Sequence, residues 1–256
     1  MILSQEKLEG AGPFYFEGNE IGILFIHGGG GGTCADLRYI AQDLHKKKNY
    51  TLYLPLLPGF GTSPEDLRNT EIQEWKEAIK DELEKLREKC PKTFIGGHSM
   101  GGMLTLIFAS QEKVDGIFTI ASPIGIKSFA AKLAPFFNLF IKYYPTEWEK
   151  FKEETDGKWI GYKKIPLNIV LKLRRLLKEM KENLSQVECP ALLMQGSQDS
   201  VIKPESMNYI YEKISSQFKT KRWLDQNDHA LLDSPDHDLI VAHIIEFIEN
   251  VSNRSS

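Results

Sequence analysis

Residues 97–101 read Gly97-His98-Ser99-Met100-Gly101, between the short apolar run Thr93-Phe94-Ile95 and a helical apolar run from Met103 to Ser110. This junction constrains the chain more than any other feature. A strand that turns sharply into a helix needs glycines on both sides of the apex, because bulkier neighbours would clash with adjacent backbone. Such a turn exposes the serine hydroxyl at the C-terminal end of a sheet. It also sets the Met100 amide at a helix N-terminus, where developing negative charge is stabilised. The context implies that Ser99 is a nucleophile.

The pattern on either side supplies the sheet that the turn requires. Phe14–Phe16 reads as an edge strand, and Ile21–Ile26 as a strand buried on both faces. Further strands are expected at Thr51–Leu54, Val114–Ala121, Ala191–Gln195 and Phe218–Leu224. Helices are expected at Asp36–Lys48, Thr70–Lys89 with Thr70 as N-cap, Pro204–Lys213 and Pro235–Asn250. Strands and helices alternating with short links predict an α/β fold with a mostly parallel sheet flanked by helices on both faces.

The interval from about Pro123 to Glu188 breaks this alternation. It holds no convincing strand and carries Phe129, Phe136, Phe137, Phe140, Tyr143, Tyr144, Trp148, Phe151 and Trp159 among lysines. It reads as a helical cap inserted between two sheet strands. The expected division is a core of residues 1–122 and 189–256 and a cap of residues 123–188. Within the cap, Leu167, Val170, Leu173, Leu177 and Met180 fall at helical spacing. Lys172, Arg174, Arg175, Lys178 and Lys181 surround them as a solvated basic face, which could also meet an anionic lipid surface transiently.

Three further pieces follow the expected order for serine-based acyl transfer. His27-Gly28-Gly29-Gly30 comes directly after the Ile21–Ile26 strand. A glycine loop there can turn a backbone N–H into the site as an oxyanion donor. A phosphate-cradling loop fits poorly, since the chain has no G-x-x-x-x-G-K-[ST] pattern. Asp199 lies just past the Ala191–Gln195 strand, at the same end of the sheet as Ser99. His229 lies shortly after the Phe218–Leu224 strand and can stand between the two as general base and acid. His27 shapes the glycine loop in this reading, His98 faces away from the nucleophile, and His45, His237 and His243 sit on helices or turns.

Composition narrows the class. The 256 residues are 41% hydrophobic and 26% charged, with a net charge of −3, so a nucleic-acid partner is not expected. Three well-separated cysteines, Cys34, Cys90 and Cys189, fit reduced packing thiols. Met1–Lys7 shows no apolar signal region, and no apolar run reaches bilayer-spanning length, so a cytoplasmic location is expected. No zinc-ligand spacing is present. Glu153-Glu154 reads as a solvated pair rather than glycosidase acids. No metal or cofactor is expected.

Taken together, these motifs resemble the small bacterial carboxylesterases and monoacylglycerol lipases of the α/β-hydrolase superfamily. The resemblance spans Gly12–Glu17, Ile26–Gly28, Leu57–Thr62, Gly97–Gly102, Ile120–Pro123, Cys189–Leu193 and Gln195–Asp199. It implies an α/β-hydrolase fold with catalytic Ser99, Asp199 and His229, oxyanion amides at Gly29 and Met100, and a small cap over an acyl pocket. The implied substrates are short- to medium-chain acyl esters or monoacylglycerols. Two departures stand out. Gly29 replaces the bulky residue common after His-Gly, in a loop one residue longer, so Gly30 is an alternative amide. By spacing from Tyr162 and Pro166, Trp159 stands where a carboxylate for glycerol hydroxyls would be expected, which favours a general carboxylesterase.

Overall fold

The computed structural model describes residues 7–125 and 141–254. Met1–Glu6 of the N-terminal segment, and Phe129, Phe136, Phe137 and Phe140 of the expected cap, lie outside the described residues.

Seven strands form the main sheet: β1 (Phe14–Phe16), β2 (Ile21–Ile26), β3 (Thr51–Leu54), β4 (Lys92–His98), β5 (Gly116–Ile120), β8 (Ala191–Gly196) and β9 (Lys219–Leu224). Their order is β1-β3-β2-β4-β5-β8-β9. Only β1 is antiparallel, at the edge against β3. β2 to β5 and β8 are almost wholly buried because helices cover both faces.

Those helices are α1 (Arg38–Lys48), α2 (Pro64–Asn69), α3 (Ile72–Lys89), α4 (Met100–Ala109), α7 (Ser206–Lys213) and α8 (His237–Arg254). Two apolar clusters result, one on each side of the sheet. The first centres on Trp75, Ile79, Leu83, Leu104 and Ile107, the second on Leu37, Leu44, Phe118, Ile244 and Ile248.

Register places the site. Ile26 of β2 pairs with Gly97 of β4, His98 with Ile120 of β5, and Gly196 of β8 with Leu224 of β9. Parallel strands ending at one level deliver the loops after β2, β4, β8 and β9 to a single edge.

Three local expectations are corrected. The helix expected over Thr70–Lys89 is α3, which begins at Ile72 without Thr70 as its N-cap, and a separate helix, α2, precedes it. Pro64 at the first turn and Ser63 Oγ, which accepts from the Asp66 N–H at 3.1 Å, start α2. Thr70 closes α2, and α3 instead starts with a Glu71/Glu74 capping box. The 123–188 interval contains a two-stranded antiparallel ribbon, β6 (Tyr143–Pro145) with β7 (Lys164–Pro166). Strands of three residues are too short to show a period-2 pattern. Helix α5 (Trp148–Glu154) lies in the chain between the two ribbon strands, and α6 (Ile169–Asn183) follows β7.

The third correction concerns Lys172. The buried stripe of α6 is Ile169, Lys172, Leu176 and Met180, so Lys172 is not on the solvated face. Its ammonium donates to the carbonyls of Leu67 at 2.8 Å and Arg68 at 3.1 Å, and to that of Thr70. These are the last carbonyls of α2, which a helix leaves without intrahelical donors.

Candidate active site

Ser99 sits at the apex between β4 and α4 with φ +53° and ψ −115°, a backbone region that side chains rarely occupy. The motif glycines permit this apex. A Cβ at Gly97 would lie 2.2 Å from the Gly101 carbonyl oxygen, and one at Gly101 would lie 2.0 Å from that of Ile26. No neighbour could give way there, because both obstacles are backbone. The Ser99 N–H donates to the Ile120 carbonyl at 2.9 Å, which fixes the apex to β5.

The three side chains singled out by sequence meet. His229 Nε2 lies 2.9 Å from Ser99 Oγ, and His229 Nδ1 lies 2.9 Å from Asp199 Oδ2. Asp199 is 3% exposed. Burial by itself would raise its pKa. The hydrogen bond and charge of His229, with the N–H groups of Ile202 and Val201, outweigh burial and hold the carboxyl below its ordinary range. Those N–H groups donate to Asp199 Oδ1 at 3.0 and 2.9 Å. A carboxylate only accepts, so Nδ1–H of His229 donates to Asp199. Nε2 is then free to accept from the Ser99 hydroxyl.

The glycine loop stands beside Ser99. The Gly29 side of the loop packs on the nucleophile's neighbour: a Cβ there would lie 2.7 Å from Met100 Sδ and 3.4 Å from Leu173 of α6. Met100 thus fills the space that a bulky residue 29 would occupy. The Met100 N–H is the first of α4 and has no acceptor within the helix. Gly30 is exposed, and a Cβ on it would meet nothing within 4 Å. His27, fully buried, donates from Nδ1 to the Gly28 carbonyl at 2.7 Å and accepts the Leu57 N–H on Nε2 at 3.2 Å. Burial pushes its pKa down to about 4 from 6.5, so it shapes the loop as a neutral ring.

Some residues of the site were not legible in sequence. His98 turns from the nucleophile to the base: its Nε2 lies 2.8 Å from the His229 carbonyl oxygen. Asp228 Oδ1 accepts from the Ser200 N–H at 2.7 Å and from its hydroxyl at 2.9 Å, stitching the Asp199 loop to the His229 loop. Tyr162 accepts the Thr62 N–H at 2.8 Å and donates to the Gly59 carbonyl at 2.8 Å, while its own N–H donates to Gly31 at 3.0 Å. Asp36 stands beside Gly32 near the Trp159 indole nitrogen, and burial pushes its carboxyl up to about 8. His98 lies inside the serine motif, but its partner, like those of Asp228 and Tyr162, comes from a chain segment far away in sequence.

Among the described residues, the group with ligand atoms close enough for a metal is Asp43, His237 and Asp238, within 4.8 Å of one another. His237 already bonds Asp43 at 2.9 Å and Asp238 pairs with Lys47 at 3.5 Å, and none of the three touches Ser99, His229 or Asp199. No helix among the described residues is long and apolar enough to cross a membrane.

The chain is 32% identical over 241 residues to the thermostable monoacylglycerol lipase of Bacillus sp. (strain H-257), covering 94% of this chain and 95% of the relative. It is 26% identical over 244 residues to the carboxylesterase of Bacillus subtilis (strain 168), covering 93% and 96%. Among solved structures, it matches that of the metagenome-derived lipolytic enzymes LipS and LipT with a TM-score of 0.86 and 29% identity, over 96% of this chain and 100% of that one. A yeast monoglyceride lipase, at 15% identity and TM-score 0.77 over 97% of this chain and 95% of that one, shares the fold. The family model described as serine aminopeptidase S33 matches residues 18–236. With an α/β-hydrolase sheet carrying a Ser–His–Asp constellation at its C-terminal edge, the chain belongs to the serine aminopeptidase S33 family of hydrolases.

Proposed function

We propose that this protein hydrolyses carboxylic esters through an acyl-enzyme on Ser99. The observation that carries this reading is the unbroken relay from Ser99 Oγ through His229 to Asp199, with both links at 2.9 Å. Ser99 Oγ attacks the ester carbonyl carbon while His229 Nε2 takes its proton. Asp199 holds the ring in the correct tautomer and stabilises the imidazolium. The N–H groups of Gly29 and Met100 receive the oxyanion, an interaction worth about 10²–10³ in rate per donor. The C–O bond to the alcohol then breaks, and His229 returns the proton to that oxygen. Water repeats the sequence on the acyl-enzyme, releasing the acid and restoring the Ser99 hydroxyl.

In this reading residues 1–122 and 189–256 form the catalytic core and 123–188 a cap. The cap bears on the glycine loop, since Tyr162 N–H bonds Gly31 and Leu173 packs against Gly29. Its aromatic and aliphatic content suits short- to medium-chain acyl groups. A nitrophenyl ester series of increasing chain length tests this, with Ser99→Ala as control. Ser99-dependent turnover that peaks at short or medium chains is expected. A folded protein with none on any ester overturns the proposal.

A second reading, monoacylglycerol hydrolysis, draws on the 32% identity to a monoacylglycerol lipase. Trp159 argues for broader ester use, because its ring packs on Phe151 at 5.3 Å and offers no carboxylate. Turnover of monoacylglycerols well above that of simple esters of the same acyl chain would favour the second reading. Location in the cytoplasm, with transient contact to anionic lipid through the cap, completes the proposal. Exposed Ile141 and Tyr144 lie beside exposed Lys142, Lys163 and Lys164 on the β6–β7 ribbon. Absence of binding to anionic vesicles at low salt would remove the lipid contact.

A further inference from the structure

His229 lies in the irregular stretch between β9 and α8, where no strand ladder or helix fixes its main chain. Polar contacts do that work. Asp228 is held by Ser200, and the Asn227 side chain by Ser234. Both contacts fix neighbours of His229. The main chain of His229 itself is held by His98, whose Nε2 lies 2.8 Å from the His229 carbonyl oxygen. A carbonyl only accepts, so the His98 proton is on Nε2 and Nδ1 carries the lone pair. Nδ1 is buried and has no hydrogen-bond partner among the described residues. Leaving a buried acceptor unpaired costs about 1–3 kcal/mol, so among the described residues the polar constraint on this ring is its Nε2 bond to His229.

The geometry gives that constraint a direction. His98 is covalently joined to Ser99, and the Ser99 N–H is bonded to β5. Its ring also lies 5.2 Å from the His229 ring, tilted by 45°. We propose that His98 is a positioning residue: its neutral Nε2–H holds the His229 carbonyl and so sets the distance from the base to the nucleophile. The proposal rests on His229 being the base. The titratable groups that influence His98 are His229, Asp199 and His27. Burial first, and then His229, push its pKa down to about 3. It therefore stays uncharged while His229 takes up and returns a proton, and no second charge opposes the imidazolium.

Two substitutions separate this role from simple packing. His98→Phe keeps a ring and removes the donor. His98→Gln keeps an N–H near the position of Nε2. In His98→Phe, kcat on a nitrophenyl ester is expected to fall by about ten- to a hundredfold with KM within about threefold, because misplacing a base costs rate rather than binding. His98→Gln is expected to recover to within about fivefold of wild type. A kcat for His98→Phe within about twofold of wild type, or a loss in His98→Gln as large as in His98→Phe, overturns the proposal. His229→Ala is measured alongside. If it keeps wild-type activity, the assignment of the base has failed rather than the role of His98. If His98→Phe does not fold, nitrogen-15 NMR of the wild-type imidazoles decides. The Nε2–H tautomer of His98, unchanged from about pH 4.5 to about 9, is expected. The Nδ1–H tautomer, or a titration midpoint near 6.5, overturns it.

Discussion

Helix α4 and helix α5 lie on the same chain under opposite physical regimes. All ten residues of α4, which carries the Met100 amide, are buried. None of the seven residues of α5 is buried. Burial holds the first region from every side, since α4 is wedged among β2, β4, β5 and α6. The 141–166 segment is held to the rest by Tyr162 and Ile165 on the first apolar cluster and otherwise by polar contacts. These include Tyr162 to Gly31, Gly59 and Thr62, Thr33 to Ile160 and Arg68 to Lys142. Asn168 and Lys172 extend the set onto α2. Regions with few buried apolar contacts open at lower free energy than the core does. The machinery that needs fixed distances sits in the first region, and the ribbon over the glycine loop belongs to the second.

Four measurements sharpen or break that contrast. The largest effect is expected at the apex. Ser99→Ala should lower kcat by about 10⁴-fold or more on a nitrophenyl ester while the urea midpoint stays near wild type. An active Ser99→Ala enzyme would break the link between the buried apex and catalysis. Lys172→Met comes next. It leaves the carbonyls of Leu67, Arg68 and Thr70 without their donor and should cost about 2–4 kcal/mol in urea unfolding. Stability equal to wild type would mean that the apolar face of α6 alone secures it.

The third measurement is a pH comparison. The folded-state pKa of His98 is about 3, against an ordinary value of 6.5. Between those values the unfolded chain binds a proton that the folded chain does not. Wild-type stability therefore falls as pH drops from about 6.5 toward about 3, with a contribution from this ring of about 1.4 kcal/mol per pH unit. His98→Phe should lack that slope, so the stability difference between the two proteins changes across the window and is flat above it. Parallel slopes in urea unfolding would show that His98 is charged in the folded state. The smallest effect is Tyr162→Phe. It removes an acceptor for Thr62 and a donor to Gly59, and should cost about 1–2 kcal/mol by the same measurement.

Legibility followed the same divide. The strands β2, β3, β4 and β8 were readable because burial on both faces leaves continuous apolar runs, as in Ile21–Ile26. The positions of Ser99, Asp199 and His229 were readable because each follows a strand of the parallel sheet, β4, β8 and the more polar β9, and the register brings their loops to one edge. The ribbon Tyr143–Pro145 with Lys164–Pro166 was not, since three-residue strands carry no period. Lys172 was misread because a lysine at helical spacing is normally a solvated residue. Only the carbonyls at the end of α2, about a hundred residues earlier, make its burial favourable. The role of His98 was not legible for a related reason, because its partner is a main-chain carbonyl and carbonyls leave no trace in sequence.

The order of strand, glycine loop, serine apex, aspartate and histidine was therefore determined by the sequence itself. Apolar periodicity and glycine placement are local properties with local causes. Tertiary structure alone decided what stabilises that order: the His98 bond to His229, the Ser200–Asp228 stitch, the Lys172 cage and the packing of Met100 against Gly29. Each joins a side chain to a distant segment, often to its backbone. Which backbone groups lie within reach is settled only when the chain has closed around the sheet.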